Sequence, residues 1–164
     1  MSNKHEIGDY YRSNAVEGVV FWLDDSGEHG KIVSLDEVRL PWCTDCQYRK
    51  EIVVGALFHD EGINNSYAVL LKSNINHHPA FAWRVSKGEG WYLPSRCEVL
   101  QLYHTMQTVN LTLDELGQLK ISDLSLWTST EHDEYSAYEV RMADGDYKPV
   151  YKGFSHYVRA IYAF

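Results

Sequence analysis

The sequence predicts a single α+β domain, and three observations carry that expectation. Runs rich in Val, Ile, Trp and Tyr open and close the chain, while helix-start signals are confined to its middle. Gly, Asp and Asn clusters cut the runs into short elements. A length of 164 residues suits one ordinary domain with room for a real core.

Residues 1–17 read as a polar lead-in and 18–164 as the domain. Gly18 to Leu23 (GVVFWL) is a continuous apolar run of strong β-formers, expected as a strand buried on both faces. Asp24 to Gly27 is a turn cluster, and Lys31 to Leu35 is the returning strand of a hairpin. Asp36 to Asn65 is irregular. Residues 64–74 (NNSYAVLLKSN) place apolar side chains at helical spacing, with Asn64 or Asn65 as N-cap. Pro79 starts a second short helix, Ala80 to Val85, stopped by Gly88 and Gly90.

Ser95 and Glu98 form a capping box, and Val99, Leu102 and Met106 line one face of the helix that follows. Thr112 and Glu115 repeat the signature, predicting a separate short helix over Leu113 to Leu119. The last quarter returns to strands. Ser125 to Thr130 is one; Tyr138, Val140 and Met142 alternate with Glu139 and Arg141 in the next. Asp144 and Gly145 make a hairpin turn, and Pro149 confines Tyr147 to Tyr151 to an edge. Tyr157 to Phe164 closes the chain as a strand apolar on both faces.

Composition narrows the function classes. A formal net charge of −8 with dispersed charges argues against nucleic acid and against anionic lipid surfaces, which attract basic patches. No apolar run is long enough for a membrane-spanning helix. The polar start, MSNKHEIGDYYRSN, lacks the apolar core of a signal peptide. The chain as written therefore reads as cytoplasmic, or as cell-surface or virion protein where an export signal has been removed. Twelve Tyr and five Trp suit either a β-rich core or a recognition surface.

Four blocks also carry a family resemblance: EGVVFWLDDSGEHGKIVSL (17–35), GEGWYLPSRCEVLQLY (88–103), LWTSTE (126–131) and SHYVRAIYAF (155–164). In this order they resemble the Fibrobacter-type paralogous (DUF1566) domains of Bacteroides and phage proteins. That resemblance implies a C-type lectin-like fold of antiparallel strands with two to four short helices, its N- and C-terminal strands paired. Some relatives are variable proteins of diversity-generating retroelements, whose hypervariable stretch corresponds here to His132–His156. The calcium and sugar motifs of C-type lectins, Glu-Pro-Asn and Trp-Asn-Asp, are absent. Formylglycine-generating enzymes share the broad fold but use cysteines in the C-terminal part, and no Cys follows Cys97 here.

No constellation reads as catalytic, and no cofactor motif is present. Cys43 and Cys46 have the spacing of half a zinc site or a redox pair, but His59, His77, His78 and Cys97 supply no recognisable second half. Two thiols in a loop is the simpler account, and no metal site is expected. Glu131, His132, Asp133 and Glu134 read as a solvated loop rather than a cation site. Arg159 interrupts the apolar terminal strand, and a buried guanidinium needs a carboxylate; Glu131 is the expected partner in a structural ion pair. Tyr135, Arg141, Tyr147, Lys148, Tyr151, Lys152 and His156 form an aromatic and basic set of the kind recognition surfaces overuse. Their clustering on one exposed face is the expectation that follows.

The sequence thus reads as a non-enzymatic ligand-binding or adhesion domain presenting residues 132–156 to a protein or glycan. A retroelement-diversified receptor-binding protein is the more specific alternative. A metal protein or formylglycine-generating-type oxidoreductase is a third class.

Overall fold

The computed structural model describes residues 4–44 and 53–164, within which nine strands form two sheets accompanied by three α-helices. The first sheet contains β1 (Tyr10–Ser13), β2 (Val16–Leu23), β3 (Gly30–Val33) and β9 (Ile161–Ala163), in the order β1-β2-β3-β9. The second contains β4 (Val38–Pro41), β5 (Ser125–Glu131), β6 (Ser136–Arg141), β7 (Tyr147–Tyr151) and β8 (Ser155–Val158), in the order β4-β8-β5-β6-β7. The helices are α1 (Gly62–Lys72), α2 (Pro79–Ser86) and α3 (Arg96–Glu115). The α+β class and the strand–helix–strand order agree with the sequence reading.

β2 is buried on both faces because two separate cores meet it. Val19 and Phe21 point into a core with Val33, Leu102, Val109, Leu126, Val140 and Ile161, so α3 is sandwiched between the two sheets. Val20 turns the other way, with Ile32, Trp91 and Ala160. The period-2 alternation of a strand makes this division unavoidable. A third core sets Ala80 and Phe81 of α2, with Trp42 and Leu93, against Trp127 and Val158 of the second sheet.

Several expectations are corrected. The lead-in is partly sheet, since Tyr10↔Val19 through Ser13↔Val16 pair antiparallel. The expected direct pairing of Gly18–Leu23 with the C-terminal strand does not occur. β3 lies between them and itself pairs with β9 (Val33↔Ile161, Lys31↔Ala163). The C-terminal strand is two strands: β8 pairs with β4 in the second sheet, and after Arg159 and Ala160 the chain crosses to β9 in the first. Apolar periodicity continues through the break because both halves are buried.

The helix expected over Leu113–Leu119 is absent as a separate element. α3 runs unbroken for 20 residues, no Gly or Pro interrupting it, and Thr112 Oγ1 donates to Gly8 O at 2.6 Å instead of capping. Asn65 does not cap α1 either; its side chain accepts from Phe58 N and donates to Phe58 O, pinning the preceding loop. The Ser95–Glu98 capping box is present as read. Gly145 adopts φ +75° in the β6–β7 turn, where a Cβ would also stand 2.7 Å from the Tyr103 ring. β7, carrying Pro149, is an edge strand as expected.

Candidate functional site

The seven residues expected to form one face are divided by the sheet. Tyr147 pairs with Val140 and Lys148 with Glu139, so these neighbours project to opposite faces. On one face Lys148 approaches Glu139, which also lies 3.1 Å from His156 Nε2, and His156 packs edge-on to the buried Trp127. Burial, opposed by the Glu139 charge, holds the His156 imidazole below its ordinary pKa. Tyr135 is exposed in the β5–β6 turn, Arg141 pairs with Asp144 across the β6–β7 turn, and Tyr151 is half-buried against Phe154.

Lys152 is the clearest correction within that set. Its side chain is fully buried, with Nζ donating to Glu131 Oε1 at 2.6 Å, Asp133 O at 2.8 Å and Glu134 O at 3.3 Å. The ammonium also lies 4.7 Å from the Trp42 ring centre. Glu131 Oε2 accepts from the backbone N–H groups of Val54 and Gly55. Lys152 is therefore an internal tie between β7, the β5–β6 turn and the loop before α1, and it is withdrawn from any contact surface.

The expected Glu131–Arg159 pair is corrected by the same geometry. Arg159 is buried and carboxylate-paired as the argument required, but its partner is Glu37, 2.8 Å from Nε. Nη1 donates to Ser34 O and Nη2 to Leu119 O. Arg159 thus holds the point where the chain switches sheets, between β8 and β9. Nothing in residue order distinguishes Glu37 from Glu131 as the partner, since each is brought there only by the fold.

A different surface group does assemble. Arg96, at the first position of α3, lays its guanidinium 4.4 Å from the ring centre of Tyr147 and 5.0 Å from that of Tyr138. The two tyrosines are diagonal neighbours on one face of the β6–β7 ladder, because Tyr138 pairs with Pro149 two residues beyond Tyr147. His132 Nδ1 lies 3.0 Å from the Tyr138 hydroxyl, and the His59 ring is 5.9 Å from the Tyr138 ring. His59, His132 and Tyr147 are exposed. Burial and the neighbouring Arg96 charge lower the His59 pKa.

This platform draws on the loop before α1, the first turn of α3, the β5–β6 turn and the edge hairpin. The sequence singled out Tyr147 alone among its members as a contact residue. Arg96 was hidden inside the capping-box motif, and Tyr138 read only as a member of an alternating strand, at the core or its border. The available signal was the strand alternation, which places Tyr138 and Tyr147 on a shared face once their register is known.

Among the described residues no group of three or more His, Cys, Asp and Glu could hold a metal ion. Cys43 is buried, and Cys46 lies outside the described residues. No described helix is long and apolar enough to cross a membrane.

No protein-family model matches the chain, and no curated protein matches it. Among solved structures it superposes on a fimbrial protein from Bacteroides ovatus with a TM-score of 0.70. The fold is one that a fimbrial protein contains. Identity across the superposition is 17%, and it covers 98% of this chain and 49% of the fimbrial chain. This chain therefore spans about half the length of that protein, and the match establishes a shared two-sheet α+β architecture.

Proposed function

We propose that this chain is a non-enzymatic ligand-binding domain of adhesion type, on a C-type lectin-like fold, which meets a protein or glycan partner. The observation that carries the reading is the stack of half-buried Arg96 on half-buried Tyr138 and exposed Tyr147, a cationic and aromatic group at the surface of an acidic protein. No carboxylate pairs with the Arg96 guanidinium among the described residues, and its Nε is buried without a partner. Guanidinium and tyrosine rings held rigidly together offer contact area and charge at small entropic cost. The fimbrial neighbour is compatible with adhesion. The platform replaces the wider 132–156 face as the proposed contact surface.

Glycan and protein arrays probed with the whole chain test the reading. A ligand found there is expected to lose at least about tenfold in affinity with Tyr147→Ala or Arg96→Ala, the scale of a hot-spot residue. Ligand binding unchanged in both variants would remove this platform from the function.

A further inference from the structure

A second guanidinium, on the α1–α2 side of the domain, is also left without a counter-charge, and it opens onto a cleft. Arg84 lies in the last turn of α2 and is 7% exposed. Its Nη1 donates to Trp91 O at 3.0 Å, its Nε is buried with no partner, and no described carboxylate pairs with it. The protein holds 23 Asp and Glu, so the unpaired state does not reflect a shortage of acids. Among the described residues the other deeply buried Lys and Arg side chains, Lys152 and Arg159, each have a carboxylate within 2.8 Å.

Burial strips water from the Arg84 guanidinium and depresses its pKa, with only the Tyr67 phenol acting in the opposite direction. Such a group is costly to the fold unless something completes it. The cleft in front of it is lined by Ile63, Ser66, Tyr67 and Gly90 to Tyr92. Tyr67 and Ile63 are 51% and 39% exposed, so the cleft reaches the surface between α1 and α2. Ser66 Oγ already accepts from Leu93 N, which leaves its own proton free to be donated.

We infer that this cleft is a binding site for a carboxylate, with Arg84 as the charge that recognises it and the Ser66 and Tyr67 hydroxyls as neutral donors. The chemistry follows from shape and charge. A guanidinium presents a planar fork that matches the two oxygens of a carboxylate. Arg84 brings one positive charge to the cleft and the Ser66 and Tyr67 hydroxyls bring none, which matches a singly charged carboxylate rather than a doubly charged phosphate. The rest of the ligand lies outside, against Tyr67. The site shares no residue with the Arg96 platform, so it stands independently of the function proposed for that surface.

The test is a side-chain ¹H–¹⁵N titration of the whole protein, following the Arg84 Nε–H signal as sodium acetate is added against sodium chloride at matched ionic strength. A saturable shift with acetate and none with chloride is the expected result, with Arg96→Ala behaving as wild type. Arg84→Lys keeps the charge without the fork and should weaken binding about tenfold, equivalent to about 1.4 kcal/mol. In Arg84→Met, the acetate-induced shifts of the Trp91 and Tyr92 amides should vanish. Glucuronate in place of acetate distinguishes the source of the carboxylate: tighter binding assigns a sugar acid, equal binding a free carboxylate. No saturable shift in the wild-type protein, an equal response to chloride, or tighter binding of inorganic phosphate than of acetate would overturn the assignment.

Discussion

Lys152 Nζ lies 2.6 Å from Glu131 Oε1, and neither side chain has any solvent-accessible surface. A pair in this position is committed to the interior. The ammonium has three oxygen acceptors, and the carboxylate has the backbone donors of Val54 and Gly55, so the desolvation of both charges is compensated by bonds within the fold. Breaking one side leaves the other charge buried and uncompensated. Lys152→Met and Glu131→Gln are each expected to cost about 3–5 kcal/mol in urea unfolding, the usual penalty for removing one partner of a buried pair. Combining Lys152→Met with Glu131→Leu should cost less than the sum of the single changes. Single variants within about 0.5 kcal/mol of the parent, the range of ordinary surface substitutions, would show that the pair does not hold the β5–β6 turn.

The Ser95–Glu98 box offers a graded comparison. Ser95 Oγ accepts from Glu98 N, a single cap bond whose loss in Ser95→Ala should cost about 1 kcal/mol. Glu98 does far more than cap. Its carboxylate accepts from Ser95 N, Gly62 N, the Tyr92 hydroxyl and Lys31 Nζ, joining α3, the start of α1, the Trp91–Tyr92 segment and β3. Burial, then the charge and hydrogen bond of Glu98, push the Tyr92 phenol far above its ordinary pKa. Glu98→Ala is therefore expected to destabilise by at least about 3 kcal/mol, because the buried donors it served are left unpaired. Equal costs for Ser95→Ala and Glu98→Ala in denaturant titrations would reduce Glu98 to a helix cap.

His156 sets an acid limit on stability. Its folded pKa is depressed, chiefly by burial, so the native state resists taking up a proton that the unfolded chain accepts near pH 6.5. The contribution is therefore fully present above about pH 6.5 and is lost as the pH falls from there through the lower folded value. In His156→Gln this part of the pH dependence should be absent. Unfolding midpoints measured from pH 8 to pH 5 provide the check, and identical slopes in parent and variant would rule His156 out as the source.

How far the sequence carried depended on how local each feature was. The α3 capping box, the Asp144–Gly145 turn, the Pro149 edge and the doubly buried β2 were legible because each depends on residues within a few positions of one another. Features that join distant segments were misassigned. Arg159 demanded a carboxylate, and the expected Glu131 was not the one that the fold brings to it, which is Glu37. Lys152 read as a surface cation because nothing in its neighbours announces the Glu131 and Trp42 side chains that enclose it. The predicted contact face divided because adjacent strand residues point to opposite sides, while Arg96 and Tyr138 entered the platform from elements named for other reasons.

By itself, the sequence determined the α+β class, the strand–helix–strand order of the chain, and the elements whose signals are local, among them β2, the start of α3 and the edge strand β7. Hydrophobic periodicity, turn chemistry and the cost of an unpaired charge are local or general, so they act before any contact is known. Only the tertiary structure decided which charges meet, where the C-terminal strand changes sheets, and that Arg96 joins Tyr138 and Tyr147 while Arg84 keeps an open cleft. Those outcomes depend on sheet register and on the packing of α3 between two sheets, which bring together residues tens of positions apart.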